Sequence, residues 1–401
     1  MQTGPLAPPA LQRFGLAHIN VGNPTQPWPH RSIGSDLIAF RDMKKKKAWQ
    51  QKQGKGGLDK TAAPQDEPNR GGGSARRKPR KIKEPLKTMY DDEIPLFRQL
   101  WERLYGGYFG SFEDTTVVPP MCYTCKLPVS NRAFPDNTLQ LFSIKVAKEE
   151  KDLHWPLRVV GLIAIRDSID PRRNLIFQRD RDNCQTITEE EPFLQLTGPY
   201  RAPVMIDPVR IEVQLKAKGQ TVSEDKDLIF NVLTTFPPCT YSASIFTHSL
   251  CGIRSSLEFN IAVLANSVEA TIRIRVFLGD MPGRISARTA SIDHEDIVLL
   301  DSVDDELVPR INGYFQLSRR VVSVELSGEL KVAVEASKCF NEVIREEITF
   351  KPKDASCSNA VGVLKFASCE LAVCVAWSKF IPLAPGQTGP DDDYESIYAW
   401  E

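Results

Sequence analysis

Cys122-x-x-Cys125 is the spacing in this chain closest to metal or redox chemistry. Two thiolates at that interval can hold half of a tetrahedral zinc site, but the other half needs a second Cys or His pair at short range. The next cysteine is Cys184, and His18, His30, His154, His248 and His294 stand apart from one another. A thioredoxin-like use would need a strand–helix–strand context, which this stretch lacks. The pair reads as packing thiols, and neither a metal nor a cofactor is expected.

Acidic residues offer a second chemistry. Asp167 with Asp170, Asp180 with Asp182, Glu189 to Glu191, and Glu224 and Asp225 with Asp227 all fall in expected loops. On a sandwich whose loops converge at one end, such carboxylates could hold calcium through oxygen ligands, as in a calcium-dependent membrane-binding C2 domain. Arg166, Arg172, Arg173, Arg179 and Arg181 interleave with them, and nearby cations oppose a divalent ion. Surface ion pairs are the expected arrangement.

Catalytic signatures are missing. The chain has no Gly-x-Ser-x-Gly elbow, no phosphate-binding Gly loop with Lys-Ser/Thr and no His-Glu-x-x-His. Glu342-x-x-Arg345 resembles the acid–arginine pair of ribosome-inactivating N-glycosidases, but it falls amid expected strands and carries no assignment. No catalytic residue is assigned.

Charge is unevenly spread. Residues 1–90 carry 18 Lys and Arg against 6 Asp and Glu, about +12 within a chain of zero net charge. Two runs stand out, Lys44 to Lys47 and the stretch Arg76, Arg77, Lys78, Arg80, Lys81 and Lys83. The second has the composition of a nuclear-import signal, and either could touch nucleic acid or anionic lipid. The leader is rich in Gly, Pro, Gln and Lys and cannot offset a backbone entropy of about 1–2 kcal/mol per residue, so it is expected to be disordered. No apolar run approaches the ~20 residues that span a bilayer, and no secretory signal opens the chain. With 9 scattered cysteines these features predict reduced thiols in an intracellular protein of nucleus or cytoplasm, an organelle being less favoured.

The elements that must position these groups read as strands. From 139 to 377 apolar residues recur with a period of two: Ile211, Val213, Leu215 and Ala217 against Glu212, Gln214, Lys216 and Lys218, with the second set on a wet face. Leu257, Phe259, Ile261 and Val263 repeat the pattern, as do Ile272, Ile274 and Val276, and Leu330, Val332, Val334 and Ala336. The expected fold is an all-β, antiparallel β-sandwich body over 136–381, with two similar halves at 136–236 and 255–381 preferred over one larger sandwich. Similar segments at 193–196 and 314–317 are the weak mark of duplication. Hairpins are expected over 142–165, 257–277 and 364–377. Upstream, 91–135 should hold one short helix and an extended connector. Asp91 or Asp92 caps the helix, Pro95 sits in its first turn, Phe97, Leu100, Trp101 and Leu104 form its stripe, and Gly106-Gly107 end it. That stripe should dock on the protein's own body. The tail, 382–401, is acidic and aromatic.

Several phrases of the body resemble the grass-specific plant family called domain of unknown function 6598. They are Arg181-Asp182-Asn183-Cys184-Gln185, Leu196-Thr197-Gly198-Pro199, Asp207-Pro208-Val209, Leu299-Leu300-Asp301-Ser302 and Ala376-Trp377-Ser378, with the long phrase at 317–326. The lead-in at 109–116 also fits, and the match runs in order over about 136–381. The resemblance implies no catalytic residues, because the family has no established activity. Similar domains occur in cereal proteins beside a ribosome-inactivating domain, which implies a stress or defence setting. The expected function is a non-enzymatic interaction module with a protein partner. The competing readings are an enzyme with a loop-borne site and a calcium-dependent membrane-binding module.

The basic run yields the first prediction. Replacing Arg76, Arg77, Lys78, Arg80, Lys81 and Lys83 with Ala in a tagged chain should abolish nuclear accumulation. Unchanged accumulation rejects import. If the run instead binds nucleic acid, log affinity should fall with log salt by roughly 0.9 per phosphate contacted.

Overall fold

The structure is a computed structural model that describes residues 93–122, 133–148, 153–238, 244–278, 283–302, 310–337, 343–366 and 369–383. The chain divides into two compact units, Met1–Arg76 and Arg77–Glu401, and every described residue lies in the second. The basic leader with its import run, Cys125, Glu342 and the acidic tail from 384 lie outside the described residues.

The helix α1 (Glu93–Phe109) buries Phe97, Leu100 and Trp101, as its stripe predicts. It does not stop at Gly106-Gly107. A glycine inside a helix costs only about 1 kcal/mol, and one more turn buries Phe109, whose ring meets Tyr105 at 6.1 Å. Gly110, at φ +85°, takes the left-handed position just past the end.

β1 (Asp136–Lys148) opens an antiparallel body, but it does not pair with the next strand as the expected first hairpin required. The following strands are β2 (Leu157–Arg166), β3 (Asn174–Arg179), β4 (Gln185–Ile187), β5 (Val209–Ala217) and β6 (Lys226–Thr235). They form one sheet in the order β3-β2-β5-β6, with β4 also on β2. β2 is apolar on both faces and sits at the centre of its sheet. β1 instead joins β7 (Phe246–Cys251) on either side of the first part of β8 (Ser255–Leu278). Residues 193–196 form no strand of their own. They belong to a strip along the other edge of β1, fastened by Leu194 N to Ile144 O (2.9 Å) and Leu139 N to Pro203 O (2.9 Å), which covers that edge.

The second part of the body has a four-stranded sheet of β9 (Gly283–Thr289), β10 (Ile292–Asp301), β14 (Leu330–Ser337) and β15 (Val343–Phe350), ordered β10-β9-β14-β15. Opposite it, β8 continues between β17 (Cys369–Ser378) on one side and β12 (Tyr314–Phe315) and β13 (Val321–Glu325) on the other. β11 (Arg310–Ile311) and β16 (Ser356–Phe366) form the edges, and β16 with β17 is the expected final hairpin. The paired segments at 193–196 and 314–317 thus occupy different places, one beside β1 and one on β8.

β8 corrects the expected hairpin over 257–277: it is one strand of 24 residues. Its odd positions Leu257, Phe259, Ile261 and Val263 enter a core shared with β1, β2, β5 and β6. Its even positions Ala262, Leu264, Val268, Ala270, Ile272, Ile274 and Val276 enter a second core with β9, β14 and β17. The sequence pattern changes phase between the two runs because one strand turns opposite faces to two cores. Asn266, exposed and at φ +46°, marks the changeover, where the pairing of β1 with β8 also slips. A left-handed conformation costs a residue with Cβ roughly 1–2 kcal/mol, less for Asn. Asn266→Val should therefore lower unfolding free energy by about 1–2 kcal/mol in urea titration, while Asn266→Gly should leave it within about 0.5 kcal/mol. Equal effects would show that the conformation at Asn266 is unimportant.

Candidate functional site

The chemistry-bearing residues converge where α1, the loop after it and β8 meet the first sheet. α1 lies on the outer face of that sheet, and its Trp101 Nε1 donates to Pro171 O at 2.8 Å. Phe112, just beyond the helix, has three guanidinium groups around its ring: Arg166 at 4.1 Å, Arg98 at 4.7 Å and Arg173 at 5.2 Å. Beneath them is Glu212 of β5, fully buried. It accepts from Arg166 Nη2 at 2.7 Å and from Arg173 Nη2 at 2.6 Å. Arg166 also donates to Phe112 O at 2.6 Å. Burial pushes the Arg166 pKa down to about 10, with Glu212 pulling the other way.

A second group adjoins the first. Arg201 grips Asp167 with two bonds of 2.7 Å, and Asp167 further accepts from the backbone N–H groups of Ile169 (3.1 Å) and Val204 (2.8 Å). Asp170 accepts from Thr116 Oγ1 (2.9 Å), Val117 N (3.1 Å) and Arg172 Nη1 (3.3 Å). Burial favours the neutral form of Arg201, but Asp167, Asp170 and Glu269 outweigh it and raise its pKa. Glu269, from the odd face of β8, accepts from Met121 N (2.7 Å) and Ala202 N (2.8 Å). Its pKa is raised by burial, against the pull of those two N–H groups and of Arg201 and Arg320. A crevice of about 10 Å³, with Cys122, Arg201, Glu269, Ser378, Lys379 and Phe380 in its walls, reaches this group. That volume admits about one water molecule.

The residues expected to form surface ion pairs divide into two sets. Asp167 and Asp170 are buried, which overturns the surface reading for them: residues 109–122 and 200–205 close over the loop that carries both. Of the others, two form ion pairs. Asp225 pairs with Arg181, and Asp227 meets Lys216 at 3.2 Å. Glu224 accepts from Gln220 N (3.0 Å), and Asp180 from Asn183 N (2.8 Å). Glu212 corrects the expected wet face, because α1 covers the end of the sheet where it stands. The signal available in the sequence was the pairing of three arginines at 166, 172 and 173 with an aromatic lead-in. Cys122 packs with Phe97, Val118 and Phe380. Arg345 pairs with Glu335 across β14 and β15. Among the described residues no three His, Cys, Asp or Glu side chains are placed to hold a metal ion.

The arrangement neutralises buried charge and fastens the lead-in to the body. Removing one partner of a buried ion pair typically costs about 3–5 kcal/mol, because the other charge is left uncompensated. Glu212→Gln, which strands two guanidinium groups, should lower unfolding free energy by about that amount in denaturant titration. Glu258→Gln, which breaks the exposed 3.6 Å pair with Lys145, should cost less than about 1 kcal/mol. Equal costs would mean that Glu212 is not the anchor of the network.

No curated protein matches the chain. Among solved structures, human GIVD cytosolic phospholipase A2 is similar at a TM-score of 0.22 and 6% identity, over 61% of this chain and 33% of that one. The chain thus spans about a third of the length of that phospholipase. The two tandem C2 domains of extended-synaptotagmin 2, calcium bound, are similar at a TM-score of 0.22 and 10% identity, over 63% of this chain and 100% of that one. Neither likeness is close enough to carry an argument. The family comparison is. Residues 138–375, from β1 into β17, take in both cores and match the family described as Domain of unknown function (DUF6598), and the chain belongs to that family.

Proposed function

We propose that this chain is a non-enzymatic interaction module that meets a protein partner through an apolar corner of its second sandwich. The observation that carries the reading is the exposure of Phe277 and Ile311, 51% and 58%, where the end of β8 lies beside β11, with Leu278, 62% exposed, on the opposite face of the same strand end. Val276 N donates to Gly313 O at 2.8 Å, and Tyr314 pairs with both Ile311 and Arg275, so the β11–β12 turn lies beside the end of β8. Single apolar residues on a surface need no explanation, whereas contiguous ones mark contact sites. Arg275 stacks over Phe277 at 5.3 Å and Arg273 over Tyr314 at 4.4 Å. Aromatic and Arg side chains together have the composition of protein interfaces. The chemistry fits a segment that brings apolar side chains and a carboxylate for Arg275.

By contrast, the carboxylates of Asp167, Asp170, Glu212 and Glu269 are taken up by arginines and backbone N–H groups. They support the fold more than any reaction. The plant stress or defence setting rests on the family resemblance, and nuclear import by residues 76–83 rests on composition. No helix of the described residues is long and apolar enough to cross a membrane.

The test compares the full chain with a Phe277→Ser, Leu278→Ser, Ile311→Ser variant in chemical cross-linking from the source tissue. At least one protein captured by the parent should be lost with the variant while circular dichroism stays unchanged. Identical captured sets from two equally folded chains would overturn the reading.

A further inference from the structure

Residues 93–122 lie upstream of the family match, yet Trp101 and Phe112 are each 1% exposed. We propose that the outer face of the β2–β5–β6 sheet is a binding surface for an aromatic amphipathic helix, and that residues 93–122 occupy it as a separable, noncovalent ligand of the body.

The contacts have the character of an interface. α1 shares no ladder with any strand. The backbone exchange is confined to the loop, where Thr116 N donates to Arg173 O (2.9 Å) and Arg173 N to Asp114 O (3.0 Å). Elsewhere the lead-in supplies aromatic rings, the carbonyls of Phe109 and Phe112 and the N–H groups of Val117 and Met121, and the body meets them with arginines and the carboxylates of Asp170 and Glu269. Arg210 lies over Phe97 at 5.5 Å, and Arg166 over Trp101 at 5.4 Å. Trp101 meets both requirements of such a surface, an apolar ring to bury and an N–H for Pro171 O. Phe97 and Trp101 are four apart on the helix and Phe112 follows in the loop, so the three rings form one mutually packed set. Phe112 is 5.6 Å from Phe97 and 5.7 Å from Trp101, edge to face in both cases.

The surface is also built to receive a ligand in one register. Glu212 holds Arg166 and Arg173 in place from below, so their guanidinium planes are fixed before a ring lands on them. The far end of the lead-in reaches the second sandwich, where Met121 N meets Glu269 and Val118 packs with Val321, Phe380 and Leu383. The partner that fits is therefore a helix with Phe-x-x-x-Trp spacing and a trailing Phe. The resident segment has that pattern.

The experiment inserts a protease recognition sequence between residues 126 and 127 of the full chain, folds the protein and then cuts it. On native size-exclusion chromatography at micromolar concentration the two pieces should elute together. A labelled synthetic peptide of residues 93–122, added in excess, should then exchange into the complex. The same peptide with Trp101→Ala and Phe112→Ala should exchange roughly 100-fold less well, the scale of loss expected for central aromatic anchors. Separation of the pieces on the first column overturns the proposal, whether or not the body stays folded. So does equal exchange by the two peptides, because the aromatic set would then not be what the surface recognises. Both outcomes are independent of the apolar corner of the second sandwich.

Discussion

A strand of 24 residues at about 3.3 Å per residue is roughly 80 Å long, and β8 contributes to two separate cores along that length. The length of β8 forces most of the other features. Its first part must be flanked by β1 and β7 and its last part by β13, β12 and β17, so strands distant in sequence meet on one ribbon. Its two faces must also trade roles along the way. Where the odd positions leave the first core they become Ser267, Glu269 and Thr271, all buried but no longer apolar. That stretch needs a polar cover. Ser267 Oγ lies 2.6 Å from Thr138 Oγ1 and donates to Asp136 O at 2.7 Å, while Glu269 takes the N–H groups of Met121 and Ala202. The charged network gathers at the waist because the shared strand leaves its polar side there.

Buried ion pairs add little net stability over apolar residues of the same shape, and they penalise every arrangement in which they are broken. That asymmetry suits a lead-in that must dock in one register. An all-apolar stripe on a flat sheet could slide by a turn, since van der Waals contact is tolerant of position. Trp101 bonded to Pro171 O, with Arg166 bonded to Phe112 O, Pro171 O and Glu212 together, permits one placement. Fixing that placement is our reading of what the charges do.

The period of two in the sequence told which face of each strand is apolar, and the strands at 209–217 and 330–337 lie where it put them. Periodicity says nothing about partners, which is why two of the three expected hairpins have other pairings. The stretch 257–277 was misread for a specific reason: a change of phase resembles two strands joined by a turn, and only the presence of a second core reveals one strand. Tight hairpins such as β16–β17 are legible because the loop is short and the register local. Glu212 was illegible from its own strand, where it alternates like its more exposed neighbours Gln214 and Lys216. Its burial depends on a helix far upstream in the chain, and no local pattern carries that information. The same holds for Asp167 and Asp170, whose interleaved arginines correctly signalled pairing but not depth.

The finished molecule places several groups on the side opposite to their usual one. Asp170 and Glu212 are fully buried, whereas Phe277, Leu278 and Ile311 face water. Each buried carboxylate is tolerable because its oxygens are met by guanidinium or backbone N–H groups, which restore what water would supply. No comparable compensation exists for an exposed aliphatic group: a chain at rest loses solubility by carrying a contiguous apolar corner. The two departures therefore have different explanations. The buried charges are accounted for within the fold, by the strand that serves two cores and the lead-in that covers its polar stretch. The exposed apolar residues at the end of β8 are not accounted for in that way, and a contact surface is our proposal for them.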